Sequence, residues 1–160
     1  MSRTPNREAR ENILKAAFAL IHARGFKDVS MDDIASSAGI KKANLFHYYR
    51  TKEELGLAVF DFASAQMRAK VEGQFATGKD PIRLVEGMFS QVREANDCRK
   101  GCFMGNLAQE LGDCYDKLRV KVAQHFGEWE AQLAGVLEKG RCCGYFRKDL
   151  KPKESAEAIL

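Results

Sequence analysis

The segment from Ser30 to Lys52, S-M-D-D-I-A-S-S-A-G-I-K-K-A-N-L-F-H-Y-Y-R-T-K, constrains the fold more than any other stretch of the chain. Counted from Met31, apolar or small residues fall at Ile34, Ala35, Ala38, Ile40 and Leu45, and Gly39 stands where one helix must give way to the next. Two short helices crossing at a steep angle need a small residue at their contact, a residue tolerant of positive φ at the turn, and apolar side chains in a shared core. The spacing predicts a helix-turn-helix in which Ala35 lets the helices approach, Gly39 makes the turn, and Ile34, Ile40 and Leu45 are buried. Lys41, Lys42, Asn44, His47 and Tyr48 are left facing outward.

Those outward residues suit the groove of a nucleic acid. Lys41, Lys42, Arg50 and Lys52 place four cations in twelve residues with no acid among them, and phosphate neutralisation supplies much of protein–DNA affinity. Asn44 and His47 carry donors and acceptors for base edges, while Ala43 and the nearby aromatic rings can meet a thymine methyl. A solvated basic face on an ordinary helical hairpin would account for a lone Lys-Lys pair, but it accounts poorly for the whole spacing.

The remainder also reads as helix, so the expected class is all-α. Glu8 to Arg24 carries a stripe of Ile13, Leu14, Ala17, Phe18 and Ile21 that Gly25 stops, with Arg3 and Arg7 as a loose basic arm before it. Ser30 with Asp33 forms the pattern of a capping box, and Thr51 with Glu54 repeats it, starting a fourth helix at Lys52 that runs towards Phe75. Pro81 opens a fifth helix, a short sixth follows Gly101, and a seventh runs from about Tyr115 to Lys139 with Gly140 just past its end. Cys143 to Phe146 reads as a loop, and Pro152 begins a last helix. That last element suggests a sequence stopping inside a longer one, with about thirty further residues expected beyond Leu160.

Composition narrows the class of protein without choosing its function. The 160 residues are 45% hydrophobic, enough for a real core, and the net charge of +4 is uneven. Residues 1–60 hold ten Lys/Arg against seven Asp/Glu, a surplus of three that leaves one for the other hundred residues. The basic end is the motif end. No apolar run approaches a membrane span and no signal-peptide core opens the chain, so a cytoplasmic protein is expected. Five cysteines without an export signal point to thiols rather than a disulfide framework.

Ser30–Ala35, Ala38-Gly39-Ile40 and Asn44–Leu55 together resemble the DNA-binding domain of the tetracycline-repressor (TetR/AcrR) family, over about residues 8–60. Gly101-Cys102-Phe103-Met104-Gly105-Asn106-Leu107 extends the likeness to a segment seen in one branch. The resemblance implies residues 1–51 as a helix-turn-helix DNA-binding domain and 52–160 as a helical domain for effector binding and dimerisation. It implies a homodimer on a palindromic operator, formed in the family through the last two helices. By motif position, Lys42, Ala43, Asn44 and His47 would face bases, and Ser30, Met31, Phe46, Tyr48 and Lys52 would contact phosphates. Lys41 departs from the family pattern, standing where a Ser or Thr usually caps the recognition helix.

A regulator of this kind needs an input, and the apolar supply for a small-molecule pocket lies on four helices. The fourth offers Phe62 and Met67, and the fifth Met88, Phe89 and Val92. The sixth offers Phe103, Met104, Leu107 and Leu111, and the seventh Phe126 and Trp129. Each sits at helical spacing and is equally at home in a core. Ligand binding would bias a pendulum-like fourth helix. Cys102, at the start of the sixth helix after Arg99 and Lys100, resembles the sensing cysteine of oxidant- and electrophile-responsive members, giving an alternative input. Cys98-x3-Cys102 and Cys142-Cys143 lack the second half of a zinc knuckle, so no metal or cofactor is expected. A catalytic Cys102–His125 pair and a helical interaction module without DNA binding complete the field, and the expectation is not an enzyme.

Overall fold

The computed structural model describes residues 4–75, 80–95, 101–111 and 115–160, with side chains described for all of these except 4–6, 70–75 and 91–95. Every regular element among them is an α-helix: α1 (Thr4–Arg24), α2 (Met31–Ser37), α3 (Lys42–Tyr48), α4 (Lys52–Phe75), α5 (Pro81–Ala95), α6 (Phe103–Glu110), α7 (Asp116–Cys142) and α8 (Pro152–Ile159). The all-α expectation holds, as do the Lys52 and Pro81 starts, the short helix after Gly101 and the helix opened by Pro152.

Two expectations are corrected. Arg7 is part of α1 rather than of a loose arm, because the helix already begins at Thr4; Pro5 falls in the first turn, where a missing N–H removes no helical hydrogen bond. Arg3 lies outside the described residues. Gly140 does not end the seventh helix, which continues to Cys142. The chain reverses at Gly144 (φ +79°), and the N–H groups of Tyr145 and Phe146 both donate to the Gly140 carbonyl, at 2.8 and 3.2 Å. The Phe146 ring then folds back onto Gly140, where a Cβ would meet it. Gly140 is small to admit that ring, and Gly144 supplies the left-handed residue that closes the helix.

The main core joins the helix-turn-helix to the helical body. Ile13, Ala17 and Ile21 of α1 pack with Ile34 and Ala35 of α2, Leu45 of α3, Leu55, Val59 and Phe60 of α4, and residues of α6 and α7. A second, smaller core gathers Met88 of α5, Leu133 and Leu137 of α7, and Ala156 of α8. Phe26, between α1 and α2, is fully buried and meets the Tyr115 ring edge-on at 5.0 Å. It can lie against α4 because residue 56 is glycine: a Cβ there would stand 2.7 Å from the ring.

Gly56→Ala should therefore cost about 1–3 kcal/mol through overpacking. Gly127→Ala, in α7 with open space around the added methyl, should instead gain about 0.5–1 kcal/mol by removing a helix-interior glycine. Urea unfolding of the two variants checks the pair, and a Gly56→Ala protein as stable as Gly127→Ala would contradict this packing.

Candidate nucleic-acid interface

The reading head is built from its caps. Ser30, in extended conformation, accepts the Asp33 N–H on its hydroxyl at 3.1 Å, and the Asp33 carboxylate accepts the Ser30 N–H at 2.8 Å, closing the capping box. Hydrogen bonds from Ser30, the hydroxyl first and the backbone second, hold the Asp33 carboxyl below the ordinary aspartate range. Gly39 takes φ +67° at the turn. Lys41 is the N-cap of α3 and makes no side-chain capping bond, as its departure from a Ser or Thr cap implies. At Thr51 the hydroxyl accepts the Glu54 N–H at 3.0 Å, but the Glu54 carboxylate reaches Arg50 N–H at 2.7 Å rather than Thr51. That cap fixes the α3–α4 turn one residue upstream of the usual box.

Lys41 at the N-cap and Lys42, Ala43, Asn44, Phe46 and His47 on α3 are all exposed, with Leu45 turned fully inward. Tyr48 is half-buried with its ring edge-on to His47 at 5.8 Å, and Met31 is half-buried against the core. Two sequence-expected contacts are already engaged within the fold. Lys42 pairs with Asp32 at 2.6 Å, an acid ten residues away that the local count of charges omits. The Lys52 ammonium donates to the Lys27 carbonyl at 3.0 Å and lies over the Phe26 ring at 4.9 Å. Burial is the largest influence on it, lowering its pKa, with Asp28 and Glu110 acting the other way.

Lys27 is also held from its other side. Its backbone N–H donates to the Glu110 carboxylate at 3.1 Å, and Gly25 (φ +90°) leaves room for that carboxylate, since a Cβ would stand 2.8 Å from it. At the opposite end of α6 the His22 Nε2 lies 2.8 Å from the Gly101 carbonyl, so that nitrogen carries the proton. Between these ties the Phe18 and Phe103 rings pack at 4.7 Å. Helix α6 is thus fastened at its start to the end of α1 and at its end to the α1–α2 turn. Arg10 of α1 donates to the buried Tyr49 hydroxyl at 3.3 Å and its guanidinium lies over that ring.

The effector residues expected from sequence divide between places. Phe103, Met104, Leu107 and Leu111 are buried in the main core with Phe126 against it, and Met88 and Phe89 belong to the second core. Phe62, Met67 and Trp129 are half-buried, while the Val92 side chain lies outside the described residues. A shallow groove of about 280 Å³ between α5 and α7 is lined by Leu84, Gln132, Gly135, Val136 and Lys139, none of them among the expected set. Cys102 is a half-buried free thiol at the N-cap of α6; Cys142 and Cys143 are exposed, and Cys98 and Cys114 lie outside the described residues. His125, the base of the catalytic alternative, is surrounded by Phe60, Phe126 and Trp129, and the imidazole at the Cys102 turn is His22. Among the described residues no cluster could hold a metal ion, and no helix is long and apolar enough to cross a membrane.

A capped helix pair, turned at a left-handed glycine and presenting an exposed basic and amide face from a helical body, defines a helix-turn-helix DNA-binding regulator. Residues 13–59 match the family model of bacterial regulatory proteins of the tetR family, and residues 78–160 match the tetracyclin repressor-like C-terminal domain. The chain belongs to the TetR family. It is 28% identical over 156 residues to the transcriptional regulator AcuR of Cereibacter sphaeroides, covering 94% of this chain and 71% of that protein. To the repressor DhaR of Mycobacterium sp. strain GP1 it is 23% identical over 161 residues, covering 100% of this chain and 79% of that one. A regulatory protein TetR from Rhodobacter sphaeroides superposes with a TM-score of 0.83 at 25% identity, over 94% of this chain and 82% of that one. Escherichia coli NemR in its reduced form shares the fold at a TM-score of 0.81 and 22% identity, over 94% and 80% of the two chains.

Because the folded-state pKa of Asp33 is lowered, the stability it lends is complete above the ordinary aspartate range and is lost as pH falls below it. Asp33→Ala should be less stable at neutral pH and show a flatter loss of stability between about pH 5 and pH 2. Thermal unfolding across that range checks this, and parallel acid limbs for the two proteins would contradict it.

Proposed function

We propose that this regulator is a repressor, acting as a homodimer on a palindromic operator and released by a small apolar effector. Residues 1–51 serve as the reading unit and 52–160 as the sensing and dimerising unit, in the cytoplasm. The observation that carries the DNA-reading half is the exposure of Lys41 at the N-cap of α3 and of Lys42, Ala43, Asn44 and His47 along it, while Leu45 is fully buried. Asn44 and His47 offer hydrogen-bonding edges to bases, and Lys41 and Lys42 offer charge to phosphates. Ser30, Met31, Phe46 and Tyr48 flank that face and approach the backbone. Repression is supported by relatives named as repressors, DhaR among them.

Release requires the body to move the reading head. The connection that fits is the α1–α2 turn, where α4 holds the Lys27 carbonyl through Lys52 and α6 holds its N–H through Glu110. An effector among Phe62, Met67, Phe126 and Trp129 would bias α4, and through Lys52 the position of α2 and α3. Cys102 supports a second input, by oxidation or electrophile addition, because it stands at the N-cap of the helix that His22 and Glu110 fasten to α1 and the α1–α2 turn. Unchanged release of DNA from Cys102→Ser by hypochlorite would remove that input.

Fluorescence anisotropy with DNA from upstream of the protein's own gene tests the reading. Lys41→Ala should weaken all DNA alike and lower the slope of log affinity against log salt by about 0.9, one phosphate contact. Asn44→Ala should lose mainly the preference for upstream DNA over random DNA, by about 1–3 kcal/mol. Asp32→Ala, which frees the Lys42 ammonium, should tighten binding to random DNA. Equal losses on both DNAs for Asn44→Ala, or no binding by the parent chain, would contradict the reading.

A further inference from the structure

The α4 and α7 helices run side by side in the same direction. A Cβ at Gly56 would stand 3.1 Å from the Leu118 side chain, and further along both helices Phe60 meets His125 edge-on at 5.4 Å. On this line the buried residues of the main core reach Phe60 on α4 and Val122 on α7, with Ala63 and Phe126 packed against them, and the second core resumes on α7 at Leu133. His125 and Trp129 lie in the interval on α7. Ser64 lies one turn beyond Phe60 on the same face of α4.

Two polar groups stand in this interval, and one of them, the Ser64 hydroxyl, carries unspent hydrogen-bonding capacity. Ser64 is 3% exposed and its hydroxyl has no hydrogen-bond partner among the described residues. A buried hydroxyl is costly in that condition, and native interiors rarely keep one without a reason. His125 is half-buried beside the rings of Phe60 and Phe126, and Trp129 stacks on it at 6.5 Å and 19°. Burial is the chief influence on it and lowers its pKa, with Glu128 and Arg68 acting in opposite senses. Burial thus favours the neutral imidazole, which has one nitrogen to donate and one to accept.

We propose that Ser64 and His125 form the hydrogen-bonding end of the effector site, and that its ligand is a small uncharged molecule with one hydroxyl or carbonyl head on an apolar body. The proposal rests on the ligand-released regulator described above and adds the ligand class. The walls that Phe60, Phe126 and Trp129 supply suit the apolar body, and Ser64 and His125 suit the head. An anion or a cation fits poorly: Ser64 bears no charge, burial disfavours one on His125, and the nearby Arg68 and Glu128 have opposite signs.

Trp129 is the chain's single tryptophan, so its fluorescence, excited at a wavelength the probes do not absorb, reports on this site directly. The probes are toluene, benzyl alcohol, benzoate and benzylammonium, which share one ring and differ in the head. Benzyl alcohol should bind about tenfold more tightly than either ion and about fivefold more tightly than toluene, on the scale of one neutral hydrogen bond. Ser64→Ala and His125→Phe should each erase the advantage over toluene while toluene binding and the unfolding midpoint hold. An ion binding as well as the alcohol, an advantage that survives in both variants, or no response of Trp129 to any probe would overturn the proposal. DNA binding by the unliganded protein, measured beside it, reports on the regulatory reading alone, so a loss there is separable from a failure of the ligand preference.

Discussion

The peptide unit of Lys27 is the point on which the architecture turns. Its carbonyl accepts from Lys52 at the start of α4, and its N–H donates to Glu110 at the end of α6. Phe26, the residue before it, is driven into the core against Gly56. Each bond is of ordinary strength, about 1 kcal/mol net or somewhat more for the charged partners. Their consequence is geometric. The turn that aims α2 and α3 is held by two helices of the body at once, so neither can shift without disturbing that aim. The core that runs from α1 and α2 into α6 and α7 makes the same connection in apolar terms.

Electrostatics on the reading face are more restrained than its lysines suggest. Asp32 pairs with Lys42, the Asp33 carboxylate occupies the N-terminus of α2, Glu54 takes the Arg50 N–H, and Lys52 is engaged by the Lys27 carbonyl. Both Lys42 and Asp32 are more than half exposed, so their pairing is weak and salt-screened. Such a pair can open when a phosphate competes for the ammonium. With fewer free cations on this face, the proposed reading leaves a larger share of binding to Asn44 and His47.

The sequence made the local devices readable because each is written in neighbouring residues. Ser30 with Asp33, Gly39 at the turn and Leu45 turned inward follow from spacings of three to six residues, and Pro81 marked a helix start to the residue. What it hid is long-range. Glu110 meets Lys27 across 83 residues and His22 meets Gly101 across 79, and no local pattern announces either. Gly56, inside an otherwise apolar helix, was a signal for the close approach of Phe26 that periodicity alone passes over. Gly140 misled for a related reason: a glycine near a helix end reads as a stop, whereas here it makes room for Phe146. The partners of Lys52, a backbone carbonyl and a ring, come from the turn before α2, beyond the reach of a local pattern.

A double-mutant cycle on DNA affinity, combining Lys52→Met and Glu110→Ala and run across a salt series, tests the Lys27 grip most directly. If both side chains act by holding that peptide, each single variant should weaken binding to upstream DNA without changing the salt slope. The double variant should lose less than the product of the two losses, since either change already frees the turn. A salt slope lowered by about 0.9 in Lys52→Met would make that lysine a phosphate contact, and fully multiplicative losses would mean that the two helices do not share one hold on the reading head.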